Sequence, residues 1–297
     1  MAHLLTMRER SRILPPMNTL SRDQQSAVVR ALVEGNSLRS VSRMTGVARN
    51  TIAALLRDVG AHCKNHHDRA VRGVTAKRVQ ADEVWSFCGM KAKRATDEQK
   101  QDGLGDAWTW AAIDQDSKLV VSYRVGARTG EMARAFMQDL ADRLAGRCQL
   151  STDALSWYKG AVEAAFGWNG VDYAMLEKVF TVPDGEGRYS PPVCTGTRKH
   201  WIMGTPDIKD VCTSHVERQN LTIRMQSRRY TRLTNAFSKK LEFHLYATAL
   251  HFTFYNWCRP HMTLSKAAGV PTTPAMAAGL TDRVWTAGDL LNLLQGD

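Results

Sequence analysis

The sequence has little cysteine and no long hydrophobic segment. Its six cysteines are scattered without a C-x-x-C pair, and we interpret them as reduced thiols of a cytosolic protein. No apolar run reaches the roughly 18–20 residues of a bilayer span, and charged residues stand where a signal peptide would need its apolar core. A secreted or membrane protein is therefore not expected. With 43% apolar and 23% charged residues, the chain is also unlike disordered or fibrous proteins.

Acidic residues are scarce at the N-terminal end. Residues 1–80 contain 14 Lys and Arg but only 5 Asp and Glu, whereas residues 81–297 contain 26 and 24. A small basic unit ahead of a larger, nearly neutral one indicates a nucleic-acid-binding module fused to a second domain. The length of 297 residues allows about two domains. The alternative is a basic, solvated surface without a partner.

The N-terminal unit has the spacing of a helix-turn-helix. Ser21 can cap a first helix that runs to about Glu34. The stretch from Leu38 to Leu56 then predicts a short helix, a turn at Gly46 and a second helix that begins near Ala48. Glycine suits the turn because it adopts positive φ without steric cost.

The second of these helices is the candidate DNA reader. It would expose Arg49, Asn50 and Thr51. Arginine and asparagine side chains can read guanine and adenine edges in the major groove. A three-helix bundle without a role in DNA binding is the alternative.

From Ala81 the pattern changes from helical to alternating. Three strands are predicted over 83–89, 107–113 and 119–125, and they would form an antiparallel meander. The elements that follow are predicted to alternate between helix and strand, over 129–146, 148–152, 158–166, 172–181 and 214–257. The resulting order, βββαβαβα, is that of an α/β protein with a ribonuclease-H-like fold. The Pro- and Gly-rich stretch 183–210 is expected to be irregular.

Three acidic residues are candidates for a metal site. Asp82 opens the first strand and Asp153 follows the fourth, and these strands are central neighbours in that fold. Glu217 lies in the first turns of the helix that packs over the same edge. Carboxylate oxygens suit Mg²⁺, and two such ions about 4 Å apart can assist phosphoryl transfer.

Each acid also has a structural alternative. Asp153 could cap the next helix, Asp82 could be a polar strand start, and Glu217 could pair with an arginine on a solvated helix. Other acids compete for the same roles: Glu83, Asp114, Asp116, Asp172, Asp207 and Asp210. Asp114 and Asp116 are better explained by a turn.

The helix that carries Glu217 is strongly basic. Arg224 follows seven positions later and shares its face, since seven residues make about two turns. Residues 218–241 contain seven Lys and Arg and no acid, with Arg228 and Arg229 among them. Contact with DNA phosphates is the favoured interpretation, because solvated helix faces usually mix charge signs.

Several blocks of this sequence resemble transposases of the bacterial insertion-sequence-one family. The most specific block is Ser214–Arg224, which reads SHVERQNLTIR. The other similar blocks are Ala81–Trp85, Ala112–Asp114, Ser151–Ala154, Phe237–Lys239 and Tyr255–Trp257. The resemblance covers about residues 81–262. It departs from the family pattern in lacking a zinc-binding element at the N-terminus and in the 64-position gap from Asp153 to Glu217.

The resemblance implies a DDE transposase with divalent-metal catalysis. Asp82, Asp153 and Glu217 match the catalytic, metal-binding triad, and His215 and Asn220 are neighbours in the same block. The cofactor would be two Mg²⁺ or Mn²⁺ ions. The partners would be double-stranded DNA, as terminal inverted repeats and target, and further copies of the chain. Neither a membrane nor a small-molecule substrate is expected, and the protein would act in the bacterial cytoplasm at the nucleoid.

We therefore expect four regions. They are a helix-turn-helix domain (1–62), a basic linker (63–80), a ribonuclease-H-like catalytic domain with an insertion near 183–210 (81–262) and a C-terminal tail (263–297). Two other functions stay open. One is a ribonuclease-H-like nuclease that cuts without joining, and the other is a catalytically inactive, transposase-derived repressor.

Overall fold

Three helices precede the sheet. The computed structural model describes residues 20–181, 192–231 and 234–295. Helices α1 (Arg22–Val33), α2 (Leu38–Thr45) and α3 (Arg49–Ala70) lie in the basic N-terminal unit. Ser21 caps α1 in a capping box with Gln24. Gly46 ends α2 at a φ of 71°, as the turn at this position predicts.

Helix α3 is longer than the sequence predicts. The segment from Cys63 to Ala70, expected to belong to a polar linker, continues the helix. Cys63 and His67 are buried, and the His67 Nε2 donates to the Val121 carbonyl at 3.1 Å. The expectation of a linker at 63–70 is therefore wrong, because tertiary burial holds a polar-looking stretch in the helix.

A six-stranded mixed sheet forms the centre of the molecule. Its strands are β1 (Arg78–Cys88), β2 (Gly105–Asp114), β3 (Val120–Gly126), β4 (Cys148–Asp153), β5 (Val171–Thr181) and β6 (Val193–Met203). They lie in the order β3-β2-β1-β4-β5-β6. β1, β2 and β3 form the antiparallel meander that the sequence predicts, whereas β4 runs parallel to both β1 and β5. This mixed α/β arrangement is compatible with a ribonuclease-H-like fold.

Helices cover both faces of the sheet. They are α5 (Gly130–Ala141), α6 (Ser156–Phe166), α7 (Ser214–Gln226) and α8 (Leu241–Thr253). The short α4 (Asp97–Gln101), between β1 and β2, has no buried residue. Alternate residues of β1 point to opposite faces. Ala81 belongs to the core shared with α5 and α6, whereas Val84 packs with Ile223 of α7. The middle of β1 thus lies between two helical layers.

Strand β6 corrects the expectation of irregular structure over 183–210. β6 pairs antiparallel with β5 from Tyr173 to Thr181 and forms the edge of the sheet. Its first nine residues, from Val193 to Trp201, are all exposed. A strand without a buried face carries no apolar alternation, so the sequence pattern does not reveal it. Residues 183–191 of the expected insertion lie outside the described residues.

The C-terminal segment joins the N-terminal helices. It contains α9 (Met262–Ala268), α10 (Pro274–Ala277) and α11 (Ala287–Asn292). Leu290 and Leu291 are fully buried in the same hydrophobic core as Val28 and Val29 of α1. One continuous core therefore crosses the expected boundaries between N-terminal unit, catalytic unit and tail. In the described ranges, no helix is both long and apolar enough to cross a membrane.

This core contains buried cysteine, histidine and arginine side chains. All six cysteines carry free thiols, and four of them are buried. Among the described residues, three histidines are buried, and burial lowers the pKa of each to about 3: His67, His244 and His251. Arg143, also buried, donates to Asp139 at 2.8 Å and pairs with Asp68 of α3. This ion network joins α5 to α3.

Candidate active site

Three carboxylates meet where β1 lies beside the end of β4. β1 and β4 pair parallel, with Ala81 opposite Thr152. This register places Asp82 next to Asp153. Oxygen atoms of Asp82, Glu83 and Asp153 all lie within 4.8 Å of one another. The sequence predicted the meeting of Asp82 with Asp153 but named Glu83 only as a competitor.

The local environment opposes ionisation of this cluster. Burial, followed by the charges of Glu83 and Asp153, raises the pKa of Asp82 to about 7. Burial is also the main cause that raises the pKa of Asp153 and of Glu83. Several carboxylates that share a partly dry site resist full ionisation until a cation arrives. Such a cluster is a typical cation-binding arrangement.

Glu83 differs from the other two acids because it already has a cationic partner. The Arg128 guanidinium donates to its Oε1 from Nε at 2.8 Å and from Nη2 at 2.5 Å. The Tyr158 hydroxyl donates to Oε2 at 3.0 Å. Arg128 also lies over the Trp108 ring, 4.7 Å from its centroid. Glu83 is therefore held in place on the α6 side of the sheet.

Helix α7 is bound to β1 at two points. The Gln80 side chain accepts hydrogen bonds from the backbone N–H groups of His215 at 2.8 Å and Val216 at 3.2 Å. Gln80 thereby caps the N-terminus of α7, where the N-cap residue itself makes no side-chain hydrogen bond to the backbone. Asn220 then donates from Nδ2 to the Asp82 Oδ2 at 2.8 Å. Gln80 and Asp82 lie two residues apart on one face of β1, which explains the double contact.

Glu217 lies on the same helix, near the cluster, but it does not belong to the three acids whose oxygens lie within 4.8 Å of one another. Its carboxylate accepts from the Thr213 hydroxyl at 2.5 Å and pairs with the Lys178 ammonium of β5 at 2.6 Å. Its negative charge still raises the pKa of Asp82 and of Asp153. Lys178 thus forms an ion pair with the carboxylate that the sequence assigned as the third member of the triad.

The other acids that competed for these roles have local partners. Asp114 accepts from the backbone N–H of Ser117 at 2.9 Å, as a turn residue. The others pair with an arginine or start a short helical turn: Asp116, Asp210, Asp172 and Asp207. The start of α7 at Ser214 also leaves Asp207 and Asp210 ahead of the helix.

The donor set fits a hard divalent cation. Carboxylate oxygens of Asp82 and Asp153 are the ligands that Mg²⁺ and Mn²⁺ take in proteins. Among the described residues, the acidic cluster contains neither histidine nor cysteine, so it does not match a zinc site. In the described part of the chain, the side-chain hydrogen bond of Asp82 comes from the neutral Asn220 amide and not from a cation.

The residues expected to contact DNA fall into two groups. Arg49 and Asn50 are exposed at the start of α3, with the half-buried Thr51 beside them. Arg228 is exposed just after α7. Arg232 lies outside the described residues.

Arg229 is directed into the molecule. Its Nη1 donates to the Ser238 hydroxyl at 2.8 Å, and Ser238 contacts His244 Nδ1 at 3.0 Å. His244 Nε2 contacts the Ser86 hydroxyl at 3.1 Å, and Ser86 donates to the Ala107 carbonyl at 2.6 Å. The Ser86 proton is used on the carbonyl, so His244 Nε2 is the donor and Nδ1 the acceptor. This series of hydrogen bonds favours a structural role for Arg229.

Arg224, the other arginine expected to contact DNA, is half-buried on α7.

Comparison with known proteins finds distant structural likeness only. No protein-family model and no curated protein matches the chain. A piggyBac transposase synaptic complex with hairpin DNA is 12% identical, with a TM-score of 0.43, over 96% of this chain and 73% of that one. A pre-cleavage Mos1 transpososome is 11% identical, with a TM-score of 0.21, over 53% of this chain and 61% of that one. A Mos1 paired-end complex with the left transposon end is 10% identical, with a TM-score of 0.19, over 50% and 58%. Likeness at this level does not reveal what the chain does.

Four side chains of the site were not predicted from the sequence. Gln80, Arg128, Tyr158 and Lys178 all bond to a candidate acid or to the helix that carries one. Gln80 offered one signal, since a glutamine two residues before Asp82 shares its strand face. The other three come from distant positions, and their meeting depends on the register of the sheet.

Proposed function

We propose that the protein is a DNA transposase whose metal-dependent site is built from Asp82, Asp153 and Glu217. The observation that carries the proposal is the meeting of Asp82 with Asp153 at the centre of the sheet, where burial and the charges of neighbouring acids raise the pKa of both. Acids that are held close without a cationic partner are costly, which favours a functional role over a structural one. The resemblance of the Ser214–Arg224 block to a transposase motif supplies the reaction class.

The residues present fit the ions that this function needs. Asp82 and Asp153 would hold a Mg²⁺ or Mn²⁺ ion, and Glu217 would complete a second site. When bound, the ions would supply Lewis-acid polarisation of phosphate oxygens. Asn220 orients the Asp82 carboxylate, and Gln80 fixes the start of α7 so that Glu217 faces the cluster. Lys178, displaced from Glu217, would be free to approach a DNA phosphate.

The remaining features follow from this function. The catalytic unit would be a ribonuclease-H-like domain over about 81–262, and α1 to α3 would form the helix-turn-helix unit that binds terminal inverted repeats. The 3′ hydroxyl freed by cutting would attack target DNA. Joining two ends requires a homo-oligomer, and the protein would act on the bacterial nucleoid. The 263–297 tail would hold the N-terminal unit in place.

The test uses purified protein and a labelled DNA end from the flanks of its own gene. Wild type is incubated with Mg²⁺ or with EDTA beside Glu217→Gln and Asp82→Asn. Glu163→Gln serves as the control, since Glu163 is an exposed acid of α6. We expect Mg²⁺-dependent nicking and a joined product with wild type and the control, and a loss of at least about 100-fold in both site variants.

The outcomes separate the alternatives. Cutting without any joined product would indicate a nuclease. Binding without cutting in every variant would indicate a repressor. Full strand transfer by Asp82→Asn would refute the assignment of the site.

A further inference from the structure

A wide groove separates the N-terminal helices from the connection between α7 and α8. One wall is formed by the end of α1, by α2 and by the start of α3, and the other by residues 226–229 and 234–240 and by part of α8. The cavity has a volume of about 1060 Å³. The groove is distinct from the acidic cluster, since none of the candidate acids lines it.

Cations line both walls of this groove. The first wall contributes Arg39 and Arg49, and the second contributes Arg228, Lys239 and Lys240. All five are exposed. No acidic residue lies among the described residues that line the groove. Surfaces that serve only solvation usually mix charge signs, so a groove of one sign indicates a polyanionic ligand.

Small polar side chains also line the groove, beside apolar ones such as Leu38 and Phe237. The lining includes Asn36, Ser37, Ser40, Ser227 and Asn235. Hydroxyl and amide groups of this kind, together with Arg and Lys, supply most protein contacts to DNA phosphates and sugars. This mixture fits a sugar–phosphate backbone better than it fits an acidic peptide, which would need only point charges.

The two walls are held at a fixed distance. Gly35, at a φ of 79°, approaches Gln226 so closely that an added Cβ would lie 2.8 Å from its carbonyl oxygen. At Gly60 of α3, an added Cβ would lie 2.6 Å from the Cβ of Tyr246 in α8. Both contacts pack the backbone of one wall directly against the other, so a larger side chain at either glycine would push the walls apart.

We propose that this groove binds the sugar–phosphate backbone of a DNA strand, independently of base sequence. The proposal deepens the proposed function, because it takes DNA as the ligand and adds a second contact surface away from the acids. It also changes the role of Arg49. Because the opposite wall faces Arg49 across the groove, this side chain contacts phosphate, whereas the sequence suggested that it reads bases.

The test measures DNA binding by the full-length protein in EDTA, where no cutting occurs. Fluorescence anisotropy follows the affinity for two unrelated labelled duplexes across a series of salt concentrations. The variants are Lys239→Gln/Lys240→Gln on one wall and Arg39→Gln on the other. The control is Lys64→Gln/Lys266→Gln, which removes two exposed lysines outside the groove.

The expected result is a change in salt dependence. Each lost phosphate contact lowers the slope of log K against log salt by about 0.9. The double variant should therefore lose about 1.8 from the slope and Arg39→Gln about 0.9, equally on both duplexes. The control should keep the wild-type slope. Because the exchanged side chains are exposed, thermal unfolding should be unchanged and confirm that every variant folds.

Three outcomes would overturn the proposal. They are groove variants with the control's slope, a loss confined to one of the two duplexes, and competition by polyglutamate at the same charge concentration as DNA. If these occur while wild type still cuts DNA with Mg²⁺, the groove assignment fails and the proposed function stands. If wild type binds no DNA at all, both fail.

Discussion

Replacing Asp82 by asparagine should make the metal-free protein more stable while it abolishes the proposed metal-dependent cutting of DNA. Asp82 is largely buried beside two other carboxylates, and no cation among the described residues pairs with it. In the part of the chain that the structure describes, its side-chain hydrogen-bond partner is the Asn220 amide, which donates at 2.8 Å. The carbonyl oxygen of an asparagine at this position can accept the same hydrogen bond. The change therefore removes the charge and keeps the contact.

The size of the effect follows from the pKa. Asp82 has a pKa of about 7 in the folded chain and an ordinary value of 3.8. The folded state keeps its proton up to about pH 7, whereas the unfolded state loses it near pH 4, so stability falls as the pH rises through this window. Three pKa units correspond to about 4 kcal/mol, and relaxation of the site reduces this to about 2–4 kcal/mol at pH 8.

Urea unfolding in EDTA tests this reasoning. At pH 8 the Asp82→Asn midpoint should lie above that of wild type and of the Glu163→Gln control. At pH 4 the difference should vanish, because wild-type Asp82 is then protonated in the folded chain. Addition of Mg²⁺ at pH 8 should narrow the gap by stabilising wild type alone. A variant that is no more stable than wild type at pH 8, or equally more stable at both pH values, would refute the argument.

Two further predictions concern the core. Asp139→Asn should lower the free energy of unfolding by about 3 kcal/mol, since the side chain of Arg143 is 3% exposed and would keep only Asp68 as an acidic partner. Asp142→Asn, on the exposed side of the same segment, is the control, and equal urea midpoints would contradict the prediction. The three buried histidines have folded pKa values of about 3, whereas the unfolded chain takes up protons below about pH 6.5. Each should therefore lower the free energy of unfolding by about 2 kcal/mol at pH 5. This loss is measured by urea unfolding between pH 7 and pH 5 in the Asp82→Asn variant, where the opposing effect of Asp82 is absent, and a flat profile would disprove it.

The sequence predicts best where local chemistry and position coincide. The meander β1–β3, strand β4 and the start of α7 were predictable, because alternation, turn residues and an acid at the end of a strand are local signals. The neighbourhood of Asp82 and Asp153 followed from strand order alone.

The features that were missed depend on distant partners. Strand β6 is held by pairing with β5 and has no buried face of its own. The end of α3 is helical because Cys63 and His67 fit into a core built from the rest of the chain. Glu83 and Lys178 acquire their roles from Arg128 and Glu217, which lie 45 and 39 positions away. No window of local sequence contains such pairs.

The contact of Gly60 with Tyr246 couples the N-terminal helices to α8. A bulkier residue at Gly60 would push α3 away from α8, and a different α8 would no longer match α3. Exchange of the N-terminal helices between related proteins must therefore bring a compatible α8 with it. Under the proposed function, a lineage that acquires a new recognition sequence should do so by substitutions on the exposed surface of α2 and α3, with the buried side of α3 unchanged.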